Sequence, residues 1–227
     1  MSALVRIQAG GQAYASQLPA YDAPLLHREM RLFTDWFCAR HRGLDLSAED
    51  ERHVQATFDA LAASALAQTQ VFVHRDYHSR NLMVGDGARH GANPGILDFQ
   101  DAVQGPITYD LVSLLRDCYV AWPLEQVRGW ALSFRSQVGS HGLEVGTSEA
   151  QFLEWFDLMG VQRHLKAIGI FARLWHRDGK SGYLKDIPRT LNYVHTVATS
   201  YPQLAFLREF ISARILPIAD RITATQA

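Results

Sequence analysis

The residues able to do chemistry are gathered in two short stretches, VFVHRDYHSRNLMV from Val71 and GILDFQD from Gly95. In both, charged side chains sit at the ends of apolar, β-prone runs. A carboxylate at the end of a buried strand costs desolvation energy unless it is ion-paired, hydrogen-bonded or bound to a metal, so Asp76 and Asp98 each require a partner. One reading makes His74, Asp76 and His78 alternating ligands on one face of a strand, as in a zinc or iron hydrolase. It leaves Arg75, Asn81 and Asp98 without a role.

The elements that must carry these residues are short strands. Val71 to His74, Leu82 to Val84 and Ile96 to Phe99 are β-prone and too short for helices. The polar, Gly-rich stretch from Gly85 to Pro94 reads as a hairpin connection, which makes the last two runs antiparallel neighbours. Upstream, Asp22 and Pro24 suit the start of a helix that carries Leu25, Met30, Phe33, Trp36 and Phe37 near helical spacing and stops by Gly43. Ser47 and Asp50 have the pattern of a capping box, followed by the stripe Val54, Phe58, Leu61 and Ala65.

Beyond Pro106 the chain reads as helical almost to its end, with segments from Asp110 to about Tyr119 and from Glu125 to Gln137. A long helix follows, its buried face marked by Phe152, Phe156, Met159, Leu165, Ile168, Phe171 and Trp175, with Arg163, Lys166 and Arg173 outside it. Gly179 and Gly182 end it. Two more helices are expected, Pro188 to about Thr199 and Gln203 to Ile215. The expected fold class is α+β, mainly helical with a small antiparallel β element around the loop at His74 to Asn81.

Bulk properties narrow the function. Lys and Arg total 22 against 23 Asp and Glu, so the chain has no positive field to hold a polyanion, and nucleic acid is not an expected partner. Two cysteines, Cys38 and Cys118, are too few for a disulfide framework or a thiolate cluster and suit a reducing compartment, so a cytoplasmic location is expected. The N-terminus lacks the apolar core of a signal peptide, and no apolar run approaches the roughly eighteen residues of a membrane span.

HRDYHSRN, from His74 to Asn81, resembles the kinase catalytic loop H-R-D-L-x-x-x-N with Tyr77 replacing Leu, and DFQ from Asp98 stands where kinases have D-F-G. His78 and the non-glycine after D-F make the pair similar to the aminoglycoside phosphotransferase and choline kinase family more than to protein kinases. YDAPLLHREMRLFTDWF from Tyr21 and LDFQDAVQGPITYDLVSLLRD from Leu97 widen the likeness, from about Leu4 to Ile218. They resemble the bacterial branch that phosphorylates the anomeric hydroxyl of N-acetylmuramate and N-acetylglucosamine in cell-wall recycling.

The resemblance implies phosphoryl transfer from ATP, in which catalysis consists mainly of positioning and charge neutralisation. By it, Asp76 accepts or orients the proton of the substrate hydroxyl, while the Asn81 side-chain oxygen and the Asp98 carboxylate hold Mg²⁺, a cation suited to hard oxygen ligands. It also implies that His74 and Asp110 support the loop through hydrogen bonds, and that a small sugar and a nucleotide are the partners.

The chain departs from a complete kinase in one respect. Its lysines are Lys166, Lys180 and Lys185, all after Asp98, and the 73 residues before His74 are mostly helical in pattern. Residues 1–227 are therefore expected to form the catalytic and acceptor-binding C-terminal lobe, with the N-terminal nucleotide-binding β lobe missing from this chain. A noncatalytic binding module descended from such a kinase is the alternative. Other polar groups have plain readings beside functional ones. Glu29, Arg31, Asp35 and Trp36 line either a sugar pocket or an amphipathic helix edge, and Arg163, His164, Arg173, His176 and Arg177 either recognise an anion or form a solvated face. Trp130, Trp155 and Trp175 are most simply core, with sugar stacking as the other role.

Overall fold

A computed structural model describes residues 1–85 and 94–217. In chain order its elements are α1 (Ser2–Ala15), α2 (Ala23–Leu32) continuing as a π-helical stretch (Phe33–His41), α3 (Ala48–Leu66), β1 (Gln70–Val73), β2 (Leu82–Met83), β3 (Gly95–Ile96) and β4 (Val103–Pro106). Five helices follow: α4 (Tyr109–Leu115), α5 (Leu124–Ser140), α6 (Glu149–Asp178), α7 (Ile187–Ala198) and α8 (Ala205–Phe210), the last continuing as a π turn (Ile211–Ile215). Among the described residues the sheets are two antiparallel pairs, β1 with β4 and β2 with β3. This is the expected mainly helical α+β chain, with its β element at the catalytic-loop motif.

The chain forms two compact units. The first comprises Met1–Ala23 and Ala63–Gly160. Its β1–β4 ladder runs from Gln70 opposite Pro106 to Val73 opposite Val103. A stretch before α2 extends this ladder, since the Tyr21 N–H donates to the Gln104 carbonyl at 2.8 Å and the Gln104 N–H donates to the Pro19 carbonyl at 2.9 Å. The buried Gln8 of α1 donates through Nε2 to the Ile107 carbonyl at 3.0 Å, which satisfies a backbone acceptor just past β4. Neither α1 nor β4 is evident from the sequence. The buried face of α1 includes Leu4, Gln8 and Ala15, a helical stripe interrupted by a polar residue. β4 is a four-residue run containing Gly105 and Pro106, which argue against a strand until an edge position is known.

In the same unit β2 and β3 pair as expected, Leu82 with Ile96 and Met83 with Gly95. The connection read between Gly85 and Pro94 lies, over 86–93, outside the described residues.

The second unit comprises Pro24–Ala62 and the residues from Val161 onward. The first expected helix ends where its pattern suggested, although its second half is π-helical. In that stretch Phe33 stacks on Phe37 at 5.4 Å and Phe37 on His41 at 5.8 Å between ring centroids. The capping box of α3 is present: the Ser47 N–H donates to Asp50 Oδ2 at 2.8 Å and the Asp50 N–H donates to Ser47 Oγ at 3.1 Å. Val54, Phe58, Leu61 and Ala65 are all buried.

α6 corrects several expectations. Its stripe from Phe152 to Phe171 is buried, but Trp175 is 40% exposed, so the apolar face ends about two turns before the helix does. Arg163 is buried, and Lys166, expected outside, forms a largely buried ion pair with Glu29 at 2.8 Å. Trp130 and Trp155 are half-buried, so none of the three tryptophans is a full core residue. Gly179 caps α6 in the left-handed conformation, φ +67, as its position suggested.

Two helices of this unit approach closely at Gly169, where an added Cβ would clash with the Leu32 carbonyl, at the junction between α2 and its π-helical continuation. Alanine gains roughly 1 kcal/mol over glycine in a helix interior, whereas overpacking against backbone costs about 1–3 kcal/mol or more. Because the clash is with backbone, which cannot step aside, the upper end of that cost applies, and Gly169→Ala is expected to lower stability by about 1–2 kcal/mol net in urea unfolding. Gly129→Ala, in α5 with nothing within 4 Å of its added Cβ, should raise stability by about 0.5–1 kcal/mol. Equal effects at the two positions would contradict this packing.

Candidate active site

The loop from His74 to Asn81 is held from beneath by a buried carboxylate. Asp110, fully buried in the first turn of α4, accepts the His74 N–H at 2.7 Å through Oδ2 and the Arg75 N–H at 3.0 Å through Oδ1. The helix N-terminus favours a negative charge there. Arg75 has a left-handed φ of 75, a conformation that costs about 1–3 kcal/mol for a residue with a side chain. Hydrogen bonds to a charged acceptor contribute about 1.5–3 kcal/mol each, so the pair from Asp110 outweighs that strain. The bracing role expected of Asp110 is thus what its geometry provides.

Past this sharp bend the loop closes on itself. The Asp76 N–H donates to His74 Nδ1 at 3.3 Å, and the Asp76 carbonyl accepts the His78 N–H at 3.0 Å and Asn81 Nδ2 at 3.0 Å. Asn81 therefore spends its amide nitrogen on the loop, and its side-chain oxygen makes no protein hydrogen bond among the described residues. Residues Ser79–Asn81 form a single 3₁₀ turn, closed by the Asn81 N–H donating to the His78 carbonyl at 3.0 Å. The Leu97 N–H donates to the Asn81 carbonyl at 3.1 Å, which brings the residue before Asp98 against the end of the loop.

Asp98 itself is exposed and left-handed, φ 62, a conformation Asp tolerates better than most residues. The Ala102 N–H donates to the Phe99 carbonyl at 3.2 Å and closes the DFQD turn, while Arg75 Nη1 donates to the Asp101 carbonyl at 3.4 Å. The charges of Asp76 and Asp98 both reach the His74 imidazole. Burial, the larger effect, lowers the pKa of that ring below its usual value, against the opposing pull of Asp76, the Leu97 backbone and Asp98. A neutral His74 suits its role as acceptor for the Asp76 N–H. The three residues singled out by sequence thus belong to one folded neighbourhood: Asp76 half-buried in the bend, Asn81 at the end of its turn, and Asp98 directly after Leu97.

The competing hydrolase reading fares worse. His74 Nδ1 is occupied by backbone, the His78 ring meets Tyr119 edge-on at 5.5 Å, and no group of three or more His, Cys, Asp or Glu among the described residues is placed to hold a metal ion. An Asn81–Asp98 pair contributes two protein oxygens, which is how Mg²⁺ is commonly held, with the remaining positions filled by water and phosphate. These residues fit that cation.

Most of the other polar residues named from the sequence are spent on contacts within the protein. Glu29 is paired with Lys166, Arg31 donates to Gln55 Oε1 at 3.0 Å, and Arg40 covers the Trp36 ring at 4.7 Å. On α6, the buried His164 stacks on Tyr193 at 5.1 Å, His176 contacts His41, and Arg177 chelates Asp178. These side chains are therefore not one solvated face.

Sequence reasoning missed one residue at the loop. Asp117, buried just beyond α4, accepts the Ser79 N–H at 2.8 Å through Oδ2 and the Tyr119 N–H at 2.8 Å through Oδ1. A lone acid after a short apolar helix gives no signal of this until the loop is seen beside it.

Residues 3–142 match the model of the phosphotransferase enzyme family, and the chain belongs to that family. It is 47% identical over 199 residues to the N-acetylmuramate/N-acetylglucosamine kinase of Pseudomonas aeruginosa, covering 88% of this chain and 57% of that protein. The protein of the same name from Neisseria meningitidis is 47% identical over 188 residues, 83% of this chain and 55% of its own length. That from Caulobacter vibrioides is 32% identical over 204 residues, 90% and 54% respectively. The chain spans about half the length of the curated relatives it matches. Among the described residues, no helix is long and apolar enough to cross a membrane.

Tyr77, where kinases have Leu, is buried beneath the loop; burial first and then the Asp110 charge push its pKa up to about 12, with Arg6 pulling weakly the other way. Its neutral form is thus favoured in the fold. That contribution is complete below pH 10 and is lost as pH rises toward 12, up to about 2.7 kcal/mol over two pH units. Urea unfolding from pH 9.5 upward is expected to show stability falling less steeply in Tyr77→Phe than in the parent. Identical slopes would contradict a buried, neutral Tyr77.

Proposed function

We propose that the chain carries the catalytic and acceptor-binding lobe of an ATP-dependent, Mg²⁺-requiring kinase. Its acceptor is the anomeric hydroxyl of N-acetylmuramate or N-acetylglucosamine. The observation that carries this reading is the Asp110-braced bend, after which Asp76, Asn81 and Asp98 follow in one hydrogen-bonded neighbourhood. The sugar class is supported by the names of relatives at 47% identity.

In this reading Asp76 receives or orients the proton of the attacking hydroxyl. An anomeric hydroxyl is more acidic than an ordinary alcohol, so an ordinary carboxylate suffices as its partner. His74, neutral and bonded through Nδ1 to the Asp76 N–H, fixes the backbone from which that carboxylate projects. Asn81 and Asp98 would hold Mg²⁺, which when bound supplies positive charge to the nucleotide phosphates. Asn81 offers its oxygen because its nitrogen is committed to the Asp76 carbonyl. Asp98 offers an exposed carboxylate directly after the residue that docks on the Asn81 carbonyl.

A kinase of this kind also needs a lysine for the α/β-phosphates. Of the three lysines here, Lys166 spends its ammonium on Glu29, and the other two lie in the segment after α6. The chain alone is accordingly expected to bind Mg·ATP weakly, and submicromolar affinity by calorimetry would count against the lobe assignment.

Turnover is measured as phosphorylated sugar formed from ATP, with the chain alone and with the N-terminal portion of the Pseudomonas aeruginosa relative supplied. Asp76→Asn should lower it by about 10²–10⁴-fold while leaving the unfolding midpoint in place. Asp98→Ala should abolish activity together with its Mg²⁺ dependence. Near-normal turnover in either variant would refute the assigned role.

A further inference from the structure

The catalytic loop is held by two buried carboxylates rather than one, and the second has no place in the mechanism above. Asp110 fixes the loop's entry through His74 and Arg75; Asp117 reaches its far half through Ser79. Asp117 is 1% exposed and lies two residues past the end of α4, where the helix carries partial negative charge. Among the described residues no Lys, Arg or His pairs with it. What it does have are two backbone N–H donors, Ser79 and Tyr119, each at 2.8 Å.

The side chains around those donors continue the brace. Tyr119, whose N–H Asp117 holds, presents its ring to the Arg80 guanidinium at 3.5 Å and to the edge of His78 at 5.5 Å. His78, Ser79 and Arg80 are thus each touched by the segment 117–119, and the next residue is Asn81. Because Ser79–Asn81 is a single 3₁₀ turn, the position of its first N–H sets the position of Asn81.

We propose that Asp117 is a positioning residue: by holding the Ser79 N–H it fixes the 3₁₀ turn that presents the Asn81 side-chain oxygen to the catalytic cation. The inference rests on the phosphotransferase reading, in which Asn81 is a cation ligand. It assigns Asp117 a role in metal affinity rather than in proton transfer.

The backbone offers an unusually clean probe. His78 is extended, φ −127 and ψ 171, as a residue before proline prefers, and Ser79 is the first residue of its turn, where proline is well accommodated. Ser79→Pro therefore deletes the N–H that Asp117 holds while keeping the loop's conformation. Asp117→Asn keeps the shape but sets an amide nitrogen against one of the two N–H donors.

The test is Mn²⁺ binding to this chain in the presence of millimolar ATP, read by water-proton relaxation, with thermal unfolding in parallel. Asp117→Asn and Ser79→Pro are each expected to weaken Mn²⁺ binding about tenfold, as loss of an outer-shell partner does at metal sites. The double variant should be no weaker than either single one, because both changes remove one bond. If Asp117→Asn fails to fold, Ser79→Pro carries the test alone. Parent-like Mn²⁺ affinity in Ser79→Pro, while Asp98→Ala loses binding, overturns the proposal and leaves the phosphotransferase reading intact. Unchanged affinity in Asp98→Ala overturns that reading and this proposal with it.

Discussion

The Asp110 carboxylate, buried and bonded to the N–H groups of His74 and Arg75, is the constraint on which the site depends. A buried anion must be satisfied, and two backbone donors from one loop satisfy it only if the chain turns sharply between them. The left-handed Arg75 is the result. Everything the site offers comes after that turn: the Asp76 carboxylate in its bend, the Asn81 amide one 3₁₀ turn on, and Asp98 docked through Leu97. The polar groups that would face a substrate are therefore held by ones that never meet it.

This arrangement divides the loop's residues by exposure. Asp110, Asp117, His74 and Tyr77 are buried and spend their polar atoms or ring edges on the loop. Asp98 is exposed, and Asp76 and Asn81 are half-buried. Beside them stand Met83, Val84, Leu97 and Phe99, all substantially exposed apolar side chains on and around the β2–β3 ladder. Large exposed apolar groups beside polar ones are what a site for an aromatic or covering partner looks like.

Much of this was legible in the sequence because it rests on local chemistry. Three of the four strands, the capping box at Ser47 and Asp50, the left-handed stop at Gly179 and the loop motif each depend on residues within a few positions of one another. The failures depend on distant contacts. The polar Gln8 interrupts the stripe of α1 and makes sense only opposite the Ile107 carbonyl. β4 contains Gly105 and Pro106 and is a strand because β1 lies beside it. Arg163 looks like a surface residue by type and is buried, while Trp175 looks like core and lies beyond the end of the packed stripe. Asp117 is the instructive miss, since its sequence neighbours give no hint of an acceptor for Ser79.

The central claim is that Asn81 and Asp98 hold one divalent cation beside Asp76. Anomalous diffraction from crystals of this chain grown with Mn²⁺ and nucleotide tests it directly. The account predicts a manganese peak about 2.2 Å from both an Asp98 carboxylate oxygen and the Asn81 side-chain oxygen. A peak bound instead at the His41–His176 pair, or at neither of those oxygens, would contradict it.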